Sequence, residues 1–119
     1  MKTLFAALLL LAPVASHAAC SPTDFAIKDF KFKSTGTGTG LRLSLSGQLV
    51  NHCTEAAAAQ VRIEAKDSGG KVLQSKQGWP AGTTNIAPGQ SVDFDLGRLF
   101  RYESDMQDYT VSVSDVRAW

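Results

Sequence analysis

Asp93 and Asp95 alternate with Val92, Phe94 and Leu96, so both carboxylates project from one face of a short extended segment. That is where a general acid and a general base on a single strand would stand, and Asp108 is the third carboxylate such a small hydrolase would draw in. The chemistry also needs burial that drives the pKa values of the pair apart, and carboxylates on the wet face of an edge strand give the same spacing without it. Glu103, Asp105 and Asp108 form a second acidic group, but they lack the loop glycine and the ligand count of a calcium site. His52-Cys53 and Asp67-Ser68-Gly69-Gly70 are locally similar to protease histidine and serine motifs. A chymotrypsin-like enzyme needs two barrels and a long separation between those motifs, and a chain of 119 residues is too short for both. A tight turn accounts for Ser68.

Metal chemistry fares no better. His52 is the only histidine beyond residue 17, whereas a blue-copper site needs two histidines with a cysteine, so Cys53 and Met106 cannot complete one. A zinc site would need His52, both thiolates and a carboxylate. No catalytic set is complete, and the expectation is a chain that is not an enzyme and holds no cofactor or metal. The best binding candidate is Trp79, followed by Pro80, in the glycine- and proline-rich stretch 77–84, where an exposed indole can stack on a sugar ring or fill a partner's pocket. The competing reading has Trp79 fold back and cap the core. Trp119 reads as an aromatic pinned onto a sheet.

The first residues set the compartment. Lys2, the apolar run 4–12 and the small residues of Ser16-His17-Ala18 compose a secretory leader, residues 1–18, too short to span a bilayer. The domain is expected over 19–119, with no transmembrane segment, in the periplasm or outside the cell. Both cysteines, Cys20 and Cys53, lie beyond the leader, and an even pair in an exported chain reads as a disulfide. The alternative is a lipid anchor, since Ala18-Ala19-Cys20 looks like the end of a lipobox, although His17 stands where an aliphatic residue is usual. The chain carries 12 Lys and Arg against 11 Asp and Glu, and losing Lys2 with the leader brings the two into balance. A neutral chain has no electrostatic footprint for nucleic acid.

The elements that would position these residues are strands. Leu41, Leu43, Leu45, Gly47 and Leu49 alternate with Arg42, Ser44, Ser46 and Gln48, and Val61, Ile63 and Ala65 alternate with Arg62, Glu64 and Lys66. The second run stops at Asp67-Ser68-Gly69-Gly70, a turn after which Lys71-Val72-Leu73 returns as a strand. Phe25 and Ile27 alternate in one register and Phe30 and Phe32 in the other, which predicts a bulge or a change of sheet near Lys28-Asp29. Residues 34–40 read as a flexible hairpin loop, because a strand rather than a helix follows their glycines. Ala56 to Ala59 are expected to form a helical turn or part of a loop. Pro88-Gly89 precedes the strand holding Asp93 and Asp95, 98–107 is a short helix or loop, and Tyr109, Val111 and Val113 mark a last strand with Val116 and Trp119 shifted in register. Asp115 and Arg117 share the face of Trp119, which excludes the apolar outer band of a membrane barrel. Six to seven short strands without a long helical pattern predict an all-β, antiparallel, immunoglobulin-like β-sandwich.

With the strands placed, Gly47-Gln48-Leu49-Val50-Asn51, then Val61 and Ile63, then Asp67, Gly70-Lys71-Val72-Leu73, Pro88-Gly89-Gln90 and Phe94 follow an order that resembles the FxLYD domain. That family is a small immunoglobulin-like or fibronectin-type-III-like module of bacterial secreted and surface proteins. The resemblance covers roughly 41–114; Ile63, Glu64, Ala65 and Lys66 stand where Phe, any residue, Leu and Tyr give the family its name, and Asp67 agrees. It implies a sandwich and export, and no catalytic residue. The expected function is an exported, non-enzymatic binding or accessory module with a protein or glycan partner in the cell envelope. The alternative is a small secreted hydrolase using Asp93, Asp95 and Asp108.

Overall fold

The strands come from alternation of side chains across two faces, and in the computed structural model, described over residues 20–36 and 41–119, they form two three-stranded antiparallel sheets. The proposed leader and the loop residues 37–40 lie outside the described residues. In chain order the strands are β1 (Phe25–Thr35), β2 (Arg42–Asn51), β3 (Ala58–Lys66), β4 (Val72–Gly78), β5 (Ser91–Asp95) and β6 (Asp108–Arg117). One sheet runs β1-β2-β5 and the other β4-β3-β6. No α-helix occurs among the described residues, only 3-10 turns at Pro22–Asp24 and Gly97–Leu99. Accordingly no described helix is long and apolar enough to cross a membrane.

The two central strands supply the middle of the core. Leu45 and Leu49 of β2 and Val61, Ile63 and Ala65 of β3 are fully buried, and Phe25, Phe94 and Tyr109 join them from the flanking strands. Phe100 and Met106, from the irregular stretch after β5, are buried in the same cluster. The predicted bulge is present: Lys28 pairs with Gln48 and Lys31 with Ser46, so Asp29 and Phe30 together oppose Gly47. Asp29 takes a left-handed φ of 54° to do so. Gly47 is what lets the bulged backbone settle, since a Cβ there would stand 3.0 Å from the Phe94 ring, 3.3 Å from the Lys28 carbonyl oxygen and 3.4 Å from the Phe30 Cα. A second shift makes Ser114 the extra residue of β6, because Val61 pairs with Val113 and Gln60 with Asp115. It returns Val116 to the side that packs against the core.

Two local expectations need correction. Ala58 and Ala59 begin β3 rather than forming a helical turn, and Ala57 makes a bridge to Ile86. Alanine favours a helix when nothing else acts, but here three small buried side chains let the strands close over the core, and pairing with β6 outweighs the propensity. β4 also runs on through Gly78, well past Leu73. Its outer part is largely exposed and is held by its ladder to β3, from Val61 opposite Gly78 to Ala65 opposite Gln74. The hairpin joining these strands forms as read: the Asp67 carboxylate accepts from the backbone N–H groups of Gly69 and Lys71, both at 2.9 Å, and Gly70 has φ +86°.

Candidate functional site

One pole of the molecule is built on a covalent tie. Cys20 and Cys53 form a disulfide with their Cα atoms 5.8 Å apart, which fixes the segment before β1 to the chain leaving β2. A bridge over a separation of 33 residues stabilises a small domain by about 3 to 4 kcal/mol. The Cys20 sulfur is then unavailable for the thioether a lipid anchor requires. His52, between this bridge and β2, is exposed and only its backbone N–H is engaged, with the Asp24 carbonyl at 2.8 Å. With both thiols oxidised, no group of three or more His, Cys, Asp and Glu side chains able to hold a metal occurs among the described residues.

Beside the disulfide lies Asn51, the one fully buried polar side chain among the described residues. Its amide donates to the carbonyls of Glu55 (2.9 Å) and Ile86 (2.7 Å), and its side-chain oxygen accepts from the Cys53 N–H at 2.7 Å. Its backbone is engaged as well, the N–H with the Gln90 carbonyl and the carbonyl with the Gly89 N–H. Asn51 therefore binds the disulfide hairpin to the long connection between β4 and β5. A lone asparagine leaves no periodic signal in a sequence, and its role was not read there.

The three carboxylates lie on two sheets. Asp93 and Asp95 do share the exposed face of β5, an edge strand, while Asp108 opens β6 in the other sheet. Asp93 accepts a bond from the Gln48 side chain at 3.1 Å. Asp95 is held by three donors: the backbone N–H groups of Leu45 and Gly97, both at 3.0 Å, and the Ser44 hydroxyl at 2.8 Å. Burial opposes its ionisation, but the Gly97, Leu45 and Ser44 bonds and the charge of Arg98 outweigh it and hold its pKa below the ordinary carboxylate value. An open cleft of about 550 Å³ beside Asp95 is lined by Arg42, Leu43, Ser44 and Arg98, whereas Asp93 borders a separate hollow of about 260 Å³ and Asp108 lines neither. Asp95 thus acts as an ionised clamp for the turn into Gly97–Leu99. Because its folded pKa is depressed, its contribution is fully present above the unfolded value of about 4 and is lost as pH falls through the folded one. Chemical denaturation from pH 7 to pH 2 should therefore show Asp95→Asn less stable than wild type at neutral pH, with the gap closing at the acid end.

Trp79 has company. β4 and β6 both run antiparallel to β3, so their final residues arrive at the same end of the sheet, Gly78 opposite Val61 and Arg117 opposite Ala58. There the indoles of Trp79 and Trp119 meet edge to face, with centroids 5.8 Å apart and planes at 73°. The Arg117 guanidinium lies over both rings, 4.9 Å from the Trp119 centroid and 5.8 Å from that of Trp79. Asn85 clasps Trp119 by accepting from its backbone N–H at 2.9 Å and donating to its carbonyl at 3.4 Å. Trp79 and Pro80 are half-buried, while Trp119 keeps 48 % of its surface exposed. Trp119 is thus pinned through its backbone to the connecting loop with its ring left available. Asn51 steadies that loop through the Ile86 carbonyl, so the disulfide pole and the aromatic cluster form one connected end.

The chain matches no protein-family model, no curated protein and no solved structure.

Proposed function

We propose that this chain is an exported, non-enzymatic binding module of the bacterial cell envelope, an immunoglobulin-like sandwich of the FxLYD kind that holds a protein or glycan partner at the Trp79, Pro80, Arg117 and Trp119 surface. The observation that carries the reading is the exposed Trp119 ring held beside Trp79 and the Arg117 guanidinium, with the Trp119 backbone clasped by Asn85. Indole and guanidinium groups dominate energetic hot spots, and a surface already ordered loses little entropy when a partner arrives. The strand order agrees with an immunoglobulin-type sandwich, in which the first, second and fifth strands share one sheet and the third and sixth the other. The disulfide fits an oxidising compartment outside the cytoplasm, as a leader at residues 1–18 would provide. The hydrolase reading finds less to stand on, since Asp95 is engaged as a turn clamp and Asp108 lies in the other sheet.

The test uses the oxidised mature protein as bait against periplasmic extract and against purified peptidoglycan. Trp119→Ala is expected to keep the wild-type melting temperature within a few degrees and to lose about 2 kcal/mol or more of affinity for whatever the wild type retains. Trp79→Ala should lose the same binding with a moderate fall in melting temperature, because Trp79 is half-buried. Equal retention by wild type and both variants, or turnover of peptide, ester or glycoside substrates that Asp93→Ala abolishes, would remove the proposal.

A further inference from the structure

The outer face of the sheet β1-β2-β5 gathers positive charge around Ser44, although basic and acidic side chains nearly balance over the whole chain. Lys33 stands opposite Ser44 on β1, and Arg42 lies two residues before it on the same face of β2. Arg98 comes in on the β5 side, directly after Gly97, where a Cβ would stand 3.0 Å from the Ser44 Cα. All three side chains are exposed. β2 is the central strand, so Arg42 has no open edge to guard. Arg42, Ser44 and Arg98 line the cleft of about 550 Å³, and Lys33 borders an adjoining hollow of about 300 Å³ that shares Ser44 and Asp95 with it. Asp95 is the one acidic residue in either lining, and its oxygens are engaged by the Leu45 and Gly97 N–H groups and the Ser44 hydroxyl. One carboxylate against Lys33, Arg42 and Arg98 leaves an excess of two positive charges. Lys31 also borders the hollow that holds Asp29 and Asp93, and its charge is answered there.

We propose that this cleft binds a small organic phosphate monoester, with the phosphate among Lys33, Arg42 and Arg98 and the carbon frame against Leu41 and Leu43, which line the same cleft. A single guanidinium fork satisfies both oxygens of a carboxylate, and a second arginine and a lysine would then be superfluous. The three terminal oxygens of a phosphate monoester occupy two forks and an ammonium, and its charge of about −2 matches the local excess. Phosphate by itself would leave most of the cleft unfilled, whereas about 550 Å³ lies in the range of clefts that take small organic molecules. The leucines give such a body an apolar surface to lie on. Because Asp95 ties Ser44 to the turn that carries Arg98, the three cations are brought to one place by the same contacts that hold β5 onto β2.

Calorimetric titration of the oxidised mature protein with glycerol phosphate at low salt is expected to show saturable binding at one site, with a dissociation constant of about 1 mM or tighter. Glycerol should not bind, and acetate should bind at least about tenfold more weakly. Arg42→Gln and Arg98→Gln should each weaken glycerol phosphate about tenfold at an unchanged melting temperature, since both side chains are exposed. Arg98→Lys keeps the charge without the fork and should recover only part of the loss. Lys71→Gln removes an exposed cation from the turn after β3 and should leave the affinity as it was. Vesicles containing phosphatidic acid present the same group on a lipid: co-sedimentation that fails in the two arginine variants assigns a lipid source, and glycerol phosphate binding without co-sedimentation assigns a soluble one. Failure of both probes to bind, acetate binding as tight as glycerol phosphate, or an equal loss in Lys71→Gln would each overturn the inference. None of these results depends on binding at the tryptophan surface.

Discussion

Gly97→Ala is expected to destabilise the domain by about 3 kcal/mol or more, a large share of the margin of a small domain. Gly97 is buried where the chain turns out of β5, and a Cβ built on it would run into the Leu43 carbonyl oxygen, with the Leu43 carbonyl carbon 2.7 Å and the Ser44 Cα 3.0 Å away. These are backbone atoms of a core strand, so no side-chain rotation relieves the overlap. The turn itself must move, and Asp95 resists because it holds the Gly97 and Leu45 N–H groups together. A change at Gly69 is the control, since the nearest atom to a Cβ there is the Asp67 carboxylate at 3.5 Å. Thermal melts of the two variants should differ by many degrees. Similar melting temperatures would mean that the chain does not pass this close at Gly97.

Asn51→Ala is expected to cost about 3 to 5 kcal/mol, through a different cause. Removing the amide deprives the Glu55 and Ile86 carbonyls and the Cys53 N–H of their partner, the Ile86 bond being buried and the other two part-buried. An unsatisfied buried polar group costs about 1 to 3 kcal/mol each, and the lost packing adds to it. Asn51→Asp separates hydrogen bonding from size. It keeps the acceptor for Cys53 but sets a carboxylate against two carbonyl oxygens, so it should be no better tolerated than alanine at neutral pH and should recover part of the loss in acid. The connection carrying Ile86 and Asn85 loses its anchor in either variant, so tryptophan emission should shift before the rest of the fold melts. A melting temperature within two or three degrees of wild type for Asn51→Ala would contradict this account.

Much of the fold was legible because burial on one face writes a two-residue period into β2, β3 and β5. The bulge in β1 showed as a change of register between Ile27 and Phe30, and the turn after β3 as Asp67 followed by two glycines. The sequence was silent where an element is held by its neighbours rather than by its own pattern. β4 past Leu73 is mostly polar and is a strand because β3 pairs with it, and Ala58 and Ala59 are strand residues because β6 does. The candidate site divides in the same way. Trp79 stood out as a lone indole between glycine and proline, but Trp119 and Arg117 join it only because β4 and β6 flank β3 and finish at the same end. That placement depends on strand order, which alternation does not specify. Asp93 and Asp95 were correctly set on one face, yet the three donors that fix Asp95 include the Leu45 N–H of β2, 50 residues away.

The most direct measurement is tryptophan emission during titration of the mature protein, with solubilised peptidoglycan in one series and the partner retained by the wild-type bait in another. Trp79 and Trp119 are the only 2 tryptophans of the chain and sit together, so emission reports on this surface. A binding surface there predicts a saturable shift or quench on titration, nearly absent for Trp119→Ala despite an unchanged melting temperature. Binding that saturates with emission unmoved, and equal affinity in the Trp119→Ala variant, would contradict it.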